Sequence, residues 1–106
     1  MKKEKLQVTP VGKDFAPGET TDRRIGFLLG QTAATERVRY HEDEVASAEA
    51  LEARGCVPFL KPTLGGEWVC IFDLDGEVHV TVPFKTEGAA MAAALHYHLE
   101  SKSVMT

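Results

Sequence analysis

The sequence predicts an α+β domain: an antiparallel sheet carrying two helices. Three observations predict it. Asp75-Gly76 sits between two apolar segments of alternating character, a proline-bearing apolar run precedes them, and an Ala-rich stretch follows from Thr86. Together they define a C-terminal βββα unit with strands at 56–61, 68–74 and 77–83 and a helix at 86–101.

Residues 1–23 read as an N-terminal arm, and 24–106 as a single domain. In the arm, Leu6, Val8 and Val11 alternate with polar residues and are candidates for an edge strand. Pro10, Gly12, Pro17 and Gly18 then break the pattern, and Thr20-Thr21-Asp22 is loop chemistry. Arg24–Gly30 is a short apolar run bounded by glycine, and Glu36–His41 alternates, so a hairpin over 24–41 is expected. A helix is the competing reading of 22–40, because Ala33-Ala34-Thr35-Glu36-Arg37 has good helix propensity. A helix over 42–54 follows from acids in its first turn, Val45, Ala48 and Leu51 at helical spacing, Arg54 in its last turn and Gly55 beyond it.

In the βββα unit, Pro58 cannot donate a ladder hydrogen bond, so the 56–61 strand belongs at an edge. Asp-Gly between alternating segments is the strongest short-range hairpin signal, and it fixes the register. Opposite pairs run Leu74–Glu77, Asp73–Val78, Phe72–His79, Ile71–Val80, Cys70–Thr81 and Val69–Val82. Paired residues share a face. One face is therefore Val69, Ile71, Val78, Val80 and Val82, a natural mate for the helical stripe of Met91, Ala94, Leu95, His98 and Leu99. The other carries Trp68, Cys70 and Phe72 beside Glu77, His79 and Thr81. It is too apolar to stand open, so the first helix with the 25–29 strand, or a partner, is expected to cover it.

The charge is unevenly spread. Residues 1–40 carry eight bases and five acids, whereas 41–106 carry four bases and eleven acids within a net charge of −4. The acidic part repels phosphate backbones and suits a protein partner with a basic surface. No apolar run approaches the roughly 20 residues that span a membrane. The charged N-terminus lacks the apolar core of a secretory leader, so a cytoplasmic protein is expected. Cys56 and Cys70 do not fall opposite one another, which favours reduced buried thiols over a disulfide.

Val69-Cys70-Ile71-Phe72-Asp73-Leu74-Asp75-Gly76-Glu77 resembles the nucleophile motif of haloacid-dehalogenase-type phosphatases. In that family the first aspartate attacks phosphorus, the second serves as acid/base and magnesium lies between them. Here Glu77 stands where the family has threonine, and only thirty residues follow Gly76. A hairpin turn accounts for the same residues. Asp73, Asp75 and Glu77 also echo the start of a calcium loop, but an acid-free Val78–Val82 strand follows. His96 and His98 lie about 200° apart around a helix and cannot share an ion. No catalytic residue, metal site or cofactor is expected.

Strand–strand–Asp-Gly–strand followed by Pro83-Phe84-Lys85-Thr86-Glu87-Gly88-Ala89-Ala90 resembles the βββα domains of plant AP2 factors and the arm-binding domains of phage-type integrases. Double-stranded RNA-binding domains are a looser match. The likeness implies a sheet face that enters a DNA groove through arginine and tryptophan. At those positions this chain has Trp68, Cys70, Phe72, Glu77, His79 and Thr81, one aromatic and no base.

Two functions follow as expectations. The first is a small non-enzymatic protein that docks on a protein partner through Trp68, Phe72 and His79 with Asp73, Asp75 and Glu77. That profile is similar to small acidic phage or plasmid inhibitors of host nucleic-acid machines, such as anti-CRISPR proteins. The second is a DNA- or RNA-binding module using the βββα sheet and the basic N-terminal region, with Lys2, Lys3, Lys5, Arg23, Arg24, Arg37 and Arg39.

Overall fold

A computed structural model of the chain describes residues 9–30 and 38–103. Its elements are α1 (Glu19–Leu28), α2 (Glu44–Glu52), β1 (Phe59–Pro62), β2 (Trp68–Leu74), β3 (Glu77–Val80) and α3 (Glu87–Ser103). The strands form one antiparallel sheet in the order β1-β2-β3. The α+β class and the C-terminal βββα unit are therefore as predicted, with three helices among the described residues where two were expected; β1 begins at Phe59 rather than 56, and β3 ends at Val80 rather than 83.

The extra helix replaces the first arm of the hairpin expected over 24–41. Thr21 Oγ1 accepts from the Gly18 N–H at 3.1 Å, and Glu19 and Asp22 lie in the positive first turn. A Glu19–Arg23 ion pair spans one turn at 3.1 Å, and Gly30 with φ of 88° follows the last turn. The apolar run was too short for periodicity to separate strand from helix, and the residues taken as loop supply the helix start. The second expected arm, 36–41, is no strand over its described residues; residues 31–37 lie outside them.

The segment expected to be an arm is tied into the domain from Val11 onward. Val11 forms a parallel bridge with Thr81, and Phe15 is buried in the core. Leu6 and Val8 lie outside the described residues.

Helix α2 starts on Asp43, whose carboxylate accepts from the Ala46 N–H at 3.0 Å. Its buried residues are Ser47 and Leu51, while Val45, expected on the apolar stripe, faces solvent. Ser47 tolerates burial because its hydroxyl donates to the Tyr40 carbonyl at 3.2 Å.

The hairpin turns on Asp75 (φ 53°) and Gly76 (φ 86°), the two left-handed residues of a type I′ turn. The observed pairs are Leu74–Glu77, Asp73–Val78, Phe72–His79 and Ile71–Val80, as expected. The expected Cys70–Thr81 pair also holds, the Thr81 N–H donating to the Cys70 carbonyl at 2.9 Å and the Cys70 N–H to Thr81 Oγ1 at 3.0 Å. Beyond it the register slips, and Trp68 bridges Phe84 in place of the expected Val69–Val82 continuation. The residue count puts one extra residue at Val82–Pro83, a bulge where proline has no N–H to offer.

Helix α3 begins where Thr86 was expected to cap it, with Oγ1 accepting from the Ala89 N–H at 3.1 Å. It is the hub of the fold. The sheet, α1 and α2 all pack on it, and Ala89–Leu95 are all buried. Alanine lets three elements approach one helix closely. At Gly88 the approach is tighter still, since a Cβ there would lie 2.5 Å from the His41 carbonyl oxygen.

The two sheet faces are exchanged relative to expectation. α3 covers Cys70, Phe72, Leu74 and Thr81, not the valine face. Phe72 is 1% exposed and meets Tyr97 edge-on, and Cys70 Sγ lies 3.9 Å from Met91 Sδ. Pairing parity defines two faces but does not say which turns inward. Wide aromatic and leucine side chains fill the space above an alanine-lined helix and bury more area than valines. That selects the inner face.

A candidate interaction surface

The outward face is built from the same register. Phe59 pairs with Ile71, and Ile71 with Val80, forming a central apolar row. On one side lie Lys61 and Val69. On the other lie Asp73 and Val78, with Val57 donating its backbone N–H to Asp73 Oδ1 at 3.3 Å. Val57, Phe59 and Val78 are 70%, 64% and 61% exposed. Ile71, Val69 and Val80 are half-buried between them. Apolar side chains gathered on one open face, with a lysine and an aspartate on it, are the chemistry of a docking surface.

The residues expected to bind a partner separate into three places. Trp68, Phe72 and His79 lie on the inner face: Trp68 packs on the core, and the His79 ring stands 5.6 Å from Phe72 and 5.4 Å from Tyr97. Phe72 is therefore covered by α3, and not by the first helix with the 25–29 segment, or by a partner, as expected. Asp75 and Glu77 lie at the hairpin end. Lys102 Nζ reaches Asp75 at 2.7 Å, and its hydrogen bond holds that carboxyl below the usual range. Glu77 stands 3.9 Å from His79 Nε2. Asp73 alone of the six belongs to the open face.

The bases expected to meet phosphate are engaged where described. Arg23 pairs with Glu19, Arg39 with Glu42 at 3.2 Å, and Arg24 reaches Glu100 at 2.8 and 3.2 Å. Each pair offsets the charge that a phosphate contact needs. Lys2, Lys3, Lys5 and Arg37 lie outside the described residues.

Cys56 and Cys70 are free and buried. Burial pushes the Cys70 thiol up to about 12 and raises that of Cys56 as well, which disfavours the nucleophilic thiolate. His98 is buried at 4% exposure, as its place on the apolar stripe predicts, but its Nδ1 has no hydrogen-bond partner. A buried polar atom is ordinarily hydrogen-bonded, so this nitrogen is an exception. Among the described residues, no three His, Cys, Asp or Glu side chains converge as metal ligands. No helix among them is long and apolar enough to cross a membrane.

Val57, Phe59, Lys61 and Val78 are the open-face residues that sequence reasoning missed as interface candidates. The available signal was pairing parity, since Phe59 lies across from Ile71, but the valine face had been assigned to the interior. No protein-family model, curated protein or solved structure matches the chain.

Proposed function

We propose that this protein is a non-enzymatic interaction module that docks on a protein partner through the open face of its sheet. The observation that supports the reading is the exposed cluster of Val57, Phe59 and Val78 around half-buried Ile71 and Val80. Exposing apolar side chains across three strands has no stabilising use in an isolated domain and becomes favourable when a second surface dries them. The buried, high-pKa thiols agree with binding rather than covalent chemistry. The acidic region from residue 41 onward fits the narrower version, an inhibitor of a host nucleic-acid machine in the manner of small phage proteins.

The experiment is capture from nuclease-treated lysate with the wild type, Phe59→Asp and Val78→Lys. Both side chains are exposed, so both variants keep the wild-type circular dichroism spectrum and lose the captured protein. Retention of the same protein by both folded variants would overturn the reading.

A further inference from the structure

We infer that the partner of the open sheet face is a second copy of this chain, packed face to face across a two-fold axis. The inference rests on the docking reading above and names its occupant.

The arrangement of charge carries it. Within its three rows, Lys61–Val69, Phe59–Ile71–Val80 and Asp73–Val78, the patch holds one lysine and one aspartate, so it has no net sign that would select an acidic or a basic partner. The two lie at opposite ends of the apolar patch, on either side of the Phe59–Ile71–Val80 row. Same-face residues along a strand repeat every ~6.8 Å, so the Lys61–Val69 and Asp73–Val78 rows are roughly 14 Å apart. A two-fold axis lying across the strands, through the central row, reverses the strand direction. It then sets the Lys61 row of one copy over the Asp73 row of the other, twice by symmetry, and packs the central row on itself. An axis along the strands would instead set like charges together. The surface is thus its own complement, which is what an isologous contact requires.

Two three-stranded sheets meeting this way form a sandwich with a layer spacing of about 10 Å, a gap the four-carbon stem of Lys61 can largely bridge. The patch is small beside the ~800 Å² per partner of a standard stable interface. The dimer is accordingly expected to be weak and concentration-dependent.

The test is sedimentation equilibrium of the full chain from micromolar to millimolar concentration. The wild-type mass rises from one chain toward two, and Val78→Lys stays at one. Lys61→Asp and Asp73→Lys each weaken dimerisation by about tenfold or more, and the double exchange recovers most of the loss. Circular dichroism confirms that each variant is folded. A wild type that stays monomeric throughout, a dimer indifferent to Val78→Lys, or a charge exchange that does not recover overturns the second copy as occupant. If the monomer still captures a protein that Val78→Lys loses, the docking reading stands with a different partner. If Val78→Lys changes neither association, both readings fall.

Discussion

Asp22 and His41 stand 19 positions apart in sequence and meet through two hydrogen bonds. The His41 backbone N–H donates to Asp22 Oδ1 at 3.0 Å, and His41 Nδ1 lies 2.6 Å from Asp22 Oδ2. Asp22 is buried, so this contact is the polar clasp that holds α1 to the turn preceding α2. Asp22→Ala leaves both His41 donors without their acceptor and should cost about 2–3 kcal/mol. Asp22→Asn keeps an acceptor and should cost less. Urea unfolding midpoints of the two variants check this order.

The two sheet faces differ sharply in what a deletion should do. Phe72→Ala empties a fully enclosed site beneath α3 and should destabilise by about 3–5 kcal/mol. Phe59→Ala removes a ring that is 64% exposed and should change stability by less than about 1 kcal/mol. Paired denaturant titrations measure both, and equal losses would show that the valine face is the one turned inward.

Acid should weaken the fold through the helix α3 histidines. Burial is the main cause that lowers both His96 and His98 below the usual 6.5, so the folded state favours their neutral forms. As pH falls below about 6.5, the unfolded chain binds more protons than the folded one, and stability declines toward the depressed folded values. Arg54, Lys102, Asp73 and Asp75 all act on His98, the two cations lowering it and the two acids opposing. His98→Leu removes both the titration and the unbonded Nδ1. It should raise stability at neutral pH by about 1 kcal/mol and flatten the melting temperature between pH 7 and pH 5.

Gly88→Ala probes the closest approach at any described glycine. Its new Cβ would meet backbone, the His41 carbonyl oxygen, rather than a flexible side-chain tip. Helix propensity alone would make the change favourable by roughly 1 kcal/mol, yet the clash should dominate and lower stability by about 1–3 kcal/mol. Thermal unfolding decides the sign.

Cys56 and Cys70 should resist a maleimide reagent in the native protein, since both are buried and burial raises both thiols. Mass spectrometry should find labelling only at denaturant concentrations that unfold the chain. Rapid native labelling of Cys70 would contradict the packing of β2 under α3.

Features that depend on a few neighbouring residues were legible in the amino-acid order. Asp75-Gly76 specified its turn because a type I′ hairpin needs two left-handed residues, and the first four cross-strand pairs followed. Thr86 likewise carried its meaning locally as a helix cap, and β1 lies at the sheet edge as Pro58 implied, although Pro58 itself falls just before the strand. Helix α1 was hidden because its apolar run is too short to show a period, and its stability comes largely from packing Ile25 into the core against α3.

The choice of inner sheet face was beyond local reasoning altogether. Alternation divides Trp68, Cys70 and Phe72 from Val69 and Ile71, but both sets are apolar, and only the shape of the covering helix ranks them. An alanine-lined α3 leaves depth for Phe72 and Leu74 and packs Tyr97 against Phe72 and His79. Tertiary packing thereby turned the valine face, with Phe59, Lys61 and Asp73, outward. The candidate site exists because one helix fitted the other side better.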